Sequence, residues 1–283
     1  MDTIKNIKDC ARIVVKIGSS LVVKGNKDIN EEFLKNISED LLELNKLGKE
    51  IVIVSSGAIA LGRKHQKDKK LTLAESQAAS AIGQIELING WKKVLEKKGL
   101  KTAQILITAN DTENRKRYLN ARATFDELLK EEYIPIVNEN DTVATSEIKY
   151  GDNDRLAARI SGMISADILV LLSNVEGLYS KDPSKKKTEI IREVNNIDKN
   201  IISMAGGASD MGQGGMVTKL EAAKISTKSG CYMIISSGKK INPLISLEKG
   251  KFGTWFLPQP GNKNSLKKWI SGSINPSGTL YID

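Results

Sequence analysis

The chain has 283 residues and a formal net charge of +9, and its hydrophobic fraction of 40% and charged fraction of 27% are typical of a folded globular protein. Only 8 of its 43 basic residues are arginines and 5% of its residues are aromatic, so we expect an anionic small substrate rather than a nucleic-acid partner. Two cysteines and one histidine exclude a disulfide framework and a multi-histidine metal site, and they favour a cytoplasmic location. No apolar run is long enough to span a membrane, and residues 1–6 lack the apolar segment of a secretory signal.

In chain order, short β-branched runs alternate with amphipathic helical segments. This alternation predicts an α/β fold, a three-layer αβα sandwich with a mostly parallel central sheet. The single histidine, His65, lies in a polar run at 63–70 that we expect to be a solvated loop. The first strand, at 12–16, precedes a helix that Asn30 caps and Gly48 ends. The remaining strands are predicted at 51–54, 104–107, 134–137, 168–172 and 232–235, and the remaining helices at 71–98, at 113–132, from about 155, and at 216–229.

Polar or glycine-rich residues stand directly after four of the predicted strands. They are residues 16–20, 55–58, 138–141 and 173–174. In a parallel sheet, ligands bind beyond the carboxyl ends of the strands, so we expect these segments to form one binding site. Ordinary turn chemistry explains any one of them equally well, but four such segments in succession weaken that explanation.

Three glycine-containing segments, 18–20, 56–58 and 212–215, can bring backbone N–H groups close to a phosphate. None of them matches the Walker A pattern Gly-x-x-x-x-Gly-Lys-Ser/Thr. The third glycine of the dinucleotide-binding pattern is also missing, because Val217 stands in its position. The sequence therefore does not support a P-loop NTPase or a dehydrogenase.

Two lysines occupy positions that are unusual for this residue. Lys16 ends an apolar strand, and because lysine is costly to bury we expect its side chain to point into a polar site. A snorkelling side chain is the alternative. Lys219 lies in the first turn of a helix, where a cation opposes the helix dipole and a bound anion would remove the conflict. A tolerated surface lysine is the alternative.

Carboxylates are concentrated in two predicted loops. Asp152 and Asp154 flank Asn153, and Asp141 follows a strand. Carboxylates this close raise one another's pKa values unless cations lie between them, and lysines or Mg²⁺ would serve. An Asx turn with a helix N-cap is the alternative for residues 151–154.

Six segments of the chain, in this order, resemble the amino-acid kinase family, and within it the members that phosphorylate glutamate. The resemblance extends over about residues 11–257, and six motifs in register are far more specific than any one of them. The pairing of Asn-Glu-Asn-Asp with Gly-Asp-Asn-Asp points to glutamate. The segments are 15–20, 54–59, 138–143, 151–154, 177–183 and 212–219.

The resemblance implies a role for each matching residue. Lys16 and Lys219 would contact the transferred phosphoryl group, and Asp154 would hold the two lysines in place. Mg²⁺ is implied as a second cofactor, with no metal-ligating residue assigned. Glutamate would be bound by Ser56, Gly57, Ala58, Asn138, Asp141 and Asn153. ATP would be bound by Lys16, Ser173, Asn174, Gln213, Gly214, Gly215, Met216, Val217, Thr218 and Lys219.

The implied reaction is ATP-dependent phosphorylation of the side-chain carboxylate of L-glutamate to L-glutamyl 5-phosphate, the first step of proline biosynthesis. This carboxylate has a pKa of about 4.3 and is ionised at neutral pH, so no general base is needed. The resemblance also implies proline as a feedback inhibitor, a glutamyl phosphate reductase as the next enzyme, and a dimer or tetramer of identical chains. A family member that acts on N-acetylglutamate, aspartate or carbamate is the nearest alternative.

Two features depart from the family pattern. The family usually has Thr-Asp where this chain has Ser173 and Asn174, which removes a carboxylate near the nucleotide.

Residues 1–258 are predicted to form the catalytic domain, and residues 259–283 resemble the start of a PUA domain, an RNA-binding type of module. Because a lone strand cannot bury one of its faces, we expect a shortened chain or a tail that docks elsewhere, and no RNA binding from this segment.

A non-catalytic sensor is an alternative of a different class. Such a protein would keep the fold, bind a ligand and contact RNA through its tail. The intact set of Lys16, Lys219 and Asp154 argues against this alternative.

Overall fold

The computed structural model describes residues 4, 6–25, 27–64, 71–144, 152–181, 188–205 and 215–258. Three of the predictions fall outside the described residues. They are the solvated loop around His65, the nucleotide-binding roles of Gln213 and Gly214, and the PUA-like tail at 259–283. In the described part of the chain, no helix is both long enough and apolar enough to cross a membrane.

The β-branched runs form strands, as their composition predicts. In the described residues the strands are β1 (Arg12–Ile17), β2 (Glu50–Ser55), β3 (Lys101–Ile107), β4 (Tyr133–Glu139), β5 (Ile168–Ser173), β6 (Leu178–Tyr179), β7 (Ile190–Ile191), β8 (Glu193–Val194), β9 (Tyr232–Ser237) and β10 (Thr254–Phe256).

The amphipathic segments between the strands form helices. Those within the described ranges are α1 (Ser19–Val22), α2 (Glu31–Lys46), α3 (Ala58–Gly62), α4 (Leu73–Glu96), α5 (Ala109–Glu113), α6 (Arg115–Lys130), α7 (Asp152–Met163), α8 (Lys199–Ser203) and α9 (Met216–Lys228). Single 3₁₀ turns lie at Ile7–Asp9 and Asp141–Val143.

One eight-stranded sheet forms the centre of the fold, in the order β3-β4-β2-β1-β5-β9-β10-β8. The first six strands in this order, β3, β4, β2, β1, β5 and β9, are mutually parallel. Strand β10 pairs antiparallel to β9. Strands β6 and β7 form a separate antiparallel pair. The predicted α/β class with a mostly parallel sheet is confirmed.

Both faces of the sheet are covered by helices, which confirms the three-layer sandwich. Along β1 the side chains alternate between the two faces. Ile13 and Val15 belong to the apolar cluster that contains the buried side chains of α2 and α4. Val14 belongs to the opposite cluster, which contains those of α6, α7 and α9. This alternation directs Lys16, two residues after Val14, toward α7 and α9.

Two predicted helices differ from those observed. The helix predicted at 113–132 is confirmed over 115–130, but it begins two residues later than predicted, because the chain breaks at Asn114, whose backbone is extended and whose side chain accepts hydrogen bonds from the N–H groups of Lys116 and Arg117. The residues before the break form α5 and those after it form α6. Helix α7 begins at Asp152, three residues before the predicted position, so that Asn153 and Asp154 lie in its first turn.

Candidate active site

The polar segments predicted at strand ends converge at one edge of the sheet. They follow β4, β2, β1 and β5, which are neighbours in that order, and the four strands are parallel. Backbone hydrogen bonds join adjacent segments, from Ser56 N–H to the Ile17 carbonyl (3.1 Å) and from Gly18 N–H to the Leu172 carbonyl (3.3 Å). The four segments therefore lie together at the carboxyl edge, as expected, and their role as one binding site stays a prediction.

A buried carboxylate joins the two candidate lysines at the centre of this edge. Lys16 Nζ lies 2.6 Å from Asp154 Oδ1, and Lys219 Nζ lies 3.1 Å from Asp154 Oδ2. Asp154 is 1% exposed, and the lysines are 7% and 8% exposed. The three side chains come from β1, α7 and α9, so the folded sheet and its helices bring together charges from distant parts of the sequence. Lys219 is therefore not a surface lysine.

The two ammonium groups keep the buried carboxylate ionised. Burial raises the pKa of the Asp154 carboxyl, but the opposite charges of Lys16 and Lys219 outweigh burial, so this pKa lies below its ordinary value. A buried carboxylate that stays charged holds both lysines at fixed positions.

Helix α9 is fixed to the same carboxylate by a second side chain. The hydroxyl of Thr218 lies 3.2 Å from Asp154 Oδ2 and 2.9 Å from the carbonyl oxygen of Gly215. On the outer side of this contact, Arg155 Nε donates to Glu221 Oε2 (2.8 Å), which links α7 to α9. The relative position of the helices that carry Asp154 and Lys219 is thus set by polar contacts on both sides of the ion pair.

An amide network occupies the β2 and β4 side of the site. Asn153 Nδ2 donates to Ser56 Oγ (2.8 Å) and to Asn138 Oδ1 (3.0 Å). Asn138 in turn donates through Nδ2 to Gln84 Oε1 on α4 (2.8 Å). Three predicted glutamate-binding residues are therefore in direct contact, and one residue that the sequence reasoning did not identify extends the network.

The remaining predicted glutamate-binding residues flank this network. Asp141 is buried in the 3₁₀ turn after β4 and accepts a hydrogen bond from Ser80 Oγ on α4. Gly57 has φ of +124°, which favours glycine, and directs the chain from β2 into α3, where Ala58 is the first residue.

The predicted nucleotide side lies around the end of β5. Asn174 Nδ2 donates to Ser20 Oγ (2.8 Å), which joins the segments after β5 and β1. Ser173 Oγ accepts from the N–H of Val175 (3.3 Å). Of the predicted 213–219 stretch, Gly215 caps α9, and the side chains of Met216 and Val217 pack against the apolar cluster rather than stand free at the edge.

The described residues do not form a metal site by themselves. Within them, no three His, Cys, Asp or Glu side chains are grouped closely enough to hold a metal ion. The carboxylate of Asp154 already contacts two ammonium groups. Mg²⁺ in nucleotide sites is held largely by phosphate oxygens and water, with one or two carboxylates, so a nucleotide would have to bring most of its ligands.

The contribution of α4 was missed by the sequence reasoning. Gln84 and Ser80, four residues apart on this helix, bind Asn138 and Asp141, and Trp91 Nε1 donates to Ser55 Oγ (2.9 Å). A signal was present in the sequence, because Ser80 and Gln84 stand at helical spacing on the same side as buried Trp91. That polar interruption of an apolar face could have marked them.

Comparisons with known proteins agree with this architecture. A family model described as the amino acid kinase family matches residues 11–237. The chain is 49% identical to "Glutamate 5-kinase" of Rhodopseudomonas palustris (strain BisB5), over 98% of this chain and 75% of that protein. It is 51% identical to the protein of the same name from Bartonella henselae (96% and 73% covered) and 49% identical to that of Agrobacterium fabrum (96% and 71%).

The matched range contains all four converging strand ends and both lysines of the buried ion pair. The resemblance found in the sequence is thereby confirmed, and the chain belongs to the amino acid kinase family.

Proposed function

We propose that the protein transfers the γ-phosphoryl group of ATP to the side-chain carboxylate of L-glutamate, giving L-glutamyl 5-phosphate and ADP. One observation carries this proposal: Asp154 gathers the ammonium groups of Lys16 and Lys219 between an amide network on one side and the predicted nucleotide segments on the other. The name Glutamate 5-kinase of the relatives at about half identity supports the choice of acceptor.

The chemistry suits a site without a histidine base. A glutamate carboxylate with a pKa of about 4.3 is already ionised at neutral pH and attacks without losing a proton. Its oxygen forms a bond to the γ-phosphorus while the bond from that phosphorus to the β–γ bridging oxygen breaks, and ADP leaves with the electron pair. The barrier lies in bringing two anions together and in stabilising charge on the transferring oxygens.

The lysine pair addresses both parts of this barrier. Lys16, on the central strand, and Lys219, on α9, would bind oxygens of the transferring phosphoryl group. Asp154 would act through them, because an ionised carboxylate beneath two ammonium groups fixes their positions before substrate arrives. Preorganised charges of this kind need little rearrangement during the reaction.

The groups on the β4 side match the two ends of glutamate. Asp141 accepts hydrogen bonds, and Asn153 presents an amide that can accept them, so these two residues suit the ammonium group of the substrate. Ser56, Gly57 and Ala58 would donate to a carboxylate. Asn138 would bind glutamate while it contacts Asn153.

The predicted nucleotide segments complete the proposal. ATP would lie along Ser173, Asn174 and the stretch 213–219, with its γ-phosphoryl group at the lysines. Mg²⁺ would enter as the ATP complex and neutralise phosphate charge. This arrangement agrees with a described site whose buried carboxylate is already occupied by lysines.

Trapping of the product tests the proposal. The wild-type protein is incubated with MgATP, L-glutamate and hydroxylamine, which converts an acyl phosphate into a hydroxamate. We expect γ-glutamyl hydroxamate, with ATP consumption highest for L-glutamate in a panel that includes N-acetylglutamate, aspartate and carbamate. ATP consumption with another acid of the panel, and none with glutamate, would assign the chain to a different acceptor; no turnover with any of them would favour the sensor alternative.

The place of the reaction follows from the instability of its product. L-glutamyl 5-phosphate is a mixed anhydride, and a glutamyl phosphate reductase would consume it in the first steps of proline biosynthesis. Proline would then inhibit this kinase as the end product. Initial rates at rising proline concentration test this regulation: we expect inhibition that glutamate relieves, and rates independent of proline would contradict it.

The kinase is also proposed to act in the cytoplasm as a dimer or tetramer of identical chains. Exposed apolar side chains such as Ile82 and Ile85 on α4, which are 55% and 64% exposed, are consistent with contact between copies. Light scattering on the purified protein gives the mass directly, and the mass of one chain at micromolar concentration would contradict the oligomer.

A further inference from the structure

One face of α4 lies along the proposed glutamate site and contacts it at several levels. The residues on this face follow one another at spacings of three, four and seven, which places them on one side of a helix. Three of them donate hydrogen bonds: Gln77 Nε2 to the Ala144 carbonyl (3.1 Å), Ser80 Oγ to Asp141 Oδ2, and Trp91 Nε1 to Ser55 Oγ (2.9 Å). The fourth, Gln84, accepts a hydrogen bond at Oε1 from Asn138 Nδ2 (2.8 Å).

Close packing of α3 against α4 fixes the position of this face. A Cβ atom built on Gly83 would lie 1.9 Å from the carbonyl oxygen of Ala58, and one built on Gly62 would lie 1.8 Å from that of Ala79. The two helix backbones are therefore in direct contact, which only glycine permits. The segment that carries Ser56 and the helix that carries Gln84 form one packed unit.

Gln84 determines which way the two asparagines of the network face. An amide has one acceptor oxygen and one nitrogen that donates two hydrogens. Because Gln84 offers its oxygen to Asn138 Nδ2, the oxygen of Asn138 turns to Asn153 and accepts from it. Asn153 donates both hydrogens of its Nδ2, one to Asn138 Oδ1 and one to Ser56 Oγ.

This orientation leaves one acceptor for the substrate. Asn153 Oδ1 is buried, and no donor among the described residues reaches it. Glutamate carries acceptors in both carboxylates and hydrogen-bond donors only in its ammonium group. A buried acceptor without a partner is costly, so a substrate donor that reaches Asn153 Oδ1 is favoured over one that lacks the donor.

We propose that Gln84 is a positioning residue for the substrate: through Asn138 it sets the orientation of Asn153, whose Oδ1 then accepts a hydrogen bond from the ammonium group of glutamate. This inference rests on the proposed function and adds to it a residue that touches neither the substrate nor ATP. It predicts that loss of the Gln84 acceptor weakens glutamate binding and the selection of an ammonium-bearing substrate, and leaves the nucleotide side unchanged.

Two substitutions at Gln84 separate this role from a general structural one. Gln84→Met keeps the length of the side chain and removes the acceptor, whereas Gln84→Glu keeps an acceptor oxygen. We expect Gln84→Met to raise the KM for glutamate about 10-fold and to leave the KM for ATP within about 2-fold, as for the loss of one partly buried hydrogen bond. We expect Gln84→Glu to stay within about 3-fold of wild type. Gln104→Met, the same change at an exposed side chain on β3, is the matched control.

Glutarate, which is glutamate without its ammonium group, tests the orientation of the Asn153 amide, because it cannot donate a hydrogen bond to Asn153 Oδ1. We expect the ratio of kcat/KM for glutamate to that for glutarate, measured by hydroxamate formation, to fall about 10-fold in Gln84→Met and to be retained in Gln84→Glu and in the control. Equal KM values in wild type and Gln84→Met, or a loss that Gln84→Glu shares fully, would overturn this inference while wild-type turnover upholds the proposed function. Absence of hydroxamate with wild type would instead overturn the proposed function and this inference with it.

Discussion

Lys16 on β1 and Asp154 on α7 form a buried ion pair of 2.6 Å between the central strand of the sheet and the helix that covers it. The second oxygen of the same carboxylate contacts Lys219 on α9. Removing one partner of a buried ion pair is strongly destabilising because the other charge stays buried. The pair therefore links the stability of the fold to the geometry of the site.

Substitution of Asp154 tests this link through the pH dependence of stability. Because the pKa of Asp154 is lowered in the folded state, its charge contributes stability above the unfolded pKa of about 3.9, and this contribution is lost as the pH falls through the lower folded pKa. We expect Asp154→Asn to cost about 3–5 kcal/mol at pH 7, and we expect the difference from wild type to narrow below about pH 4.

Urea unfolding of wild type and Asp154→Asn between pH 3 and pH 8 measures this difference. Asp126→Asn, which removes a half-exposed carboxylate 3.3 Å from Arg12, is the control and should cost less than about 1 kcal/mol. A difference for Asp154→Asn that stays the same down to pH 3 would contradict a lowered pKa.

Asp141 is expected to act on glutamate alone. Asp141→Asn keeps the size of the side chain and removes the charge, so we expect the KM for glutamate to rise at least about 10-fold because a charge-assisted hydrogen bond to ammonium is lost. The KM for ATP should stay within about 2-fold. Steady-state kinetics with each substrate varied measures both, and an equal rise in the two KM values would remove Asp141 from the glutamate side.

The contact between α3 and α4 leaves no room for a side chain at Gly83. In Gly83→Ala the new methyl group meets the backbone of Ala58, so we expect a loss of about 1–3 kcal/mol, a Tm lower by several degrees and a higher KM for glutamate. Gly25→Ala is the control, because a Cβ atom there has no neighbour within 4 Å. Thermal unfolding followed by circular dichroism distinguishes the two, and equal Tm values would show that the helices separate without cost.

Asn174 is expected to serve the nucleotide side. Its contact with Ser20 is exposed, and a hydrogen bond contributes about 0.5–1.5 kcal/mol, so we expect Asn174→Ala to raise the KM for ATP by about 2- to 10-fold. The KM for glutamate should not change. Asn120→Ala, on the exposed side of α6, serves as the control, and an Asn174→Ala enzyme with wild-type KM for ATP would contradict this role.

The sequence predicted most of the central sheet because its strands are long enough to have a pattern. Runs such as Ile168–Ser173 and Glu50–Ser55 are almost wholly buried and are rich in β-branched residues or leucine. By contrast, β8 and β10 contain two and three residues, too few for any period, and they exist because they pair with neighbouring strands. Helix α5 was not predicted, because its five residues are too few to show a helical period.

The site was predictable where a residue conflicts with its own surroundings. Lys16 ends an apolar strand, and Lys219 lies at the positive end of a helix. Each position therefore predicts an anionic or polar partner for the lysine. Ser80 and Gln84 carry no such conflict, since both are ordinary in a helix. Their helical spacing on the side of Trp91 marks them as facing the interior, but it does not reveal their partners Asn138 and Asp141, which lie on and after β4.

The most direct test of the account is the rate of phosphoryl transfer on the enzyme, measured by rapid quench with saturating ATP and glutamate in wild type, Lys16→Met and Lys219→Met. We expect each variant to transfer the phosphoryl group at least about 100-fold more slowly than wild type, as for the removal of one preorganised charge at the reacting oxygens. Lys228→Met, at the exposed end of α9, should react at the wild-type rate. A wild-type rate in Lys16→Met or Lys219→Met, with only substrate affinity reduced, would contradict the claim that the lysine pair stabilises the transferring group.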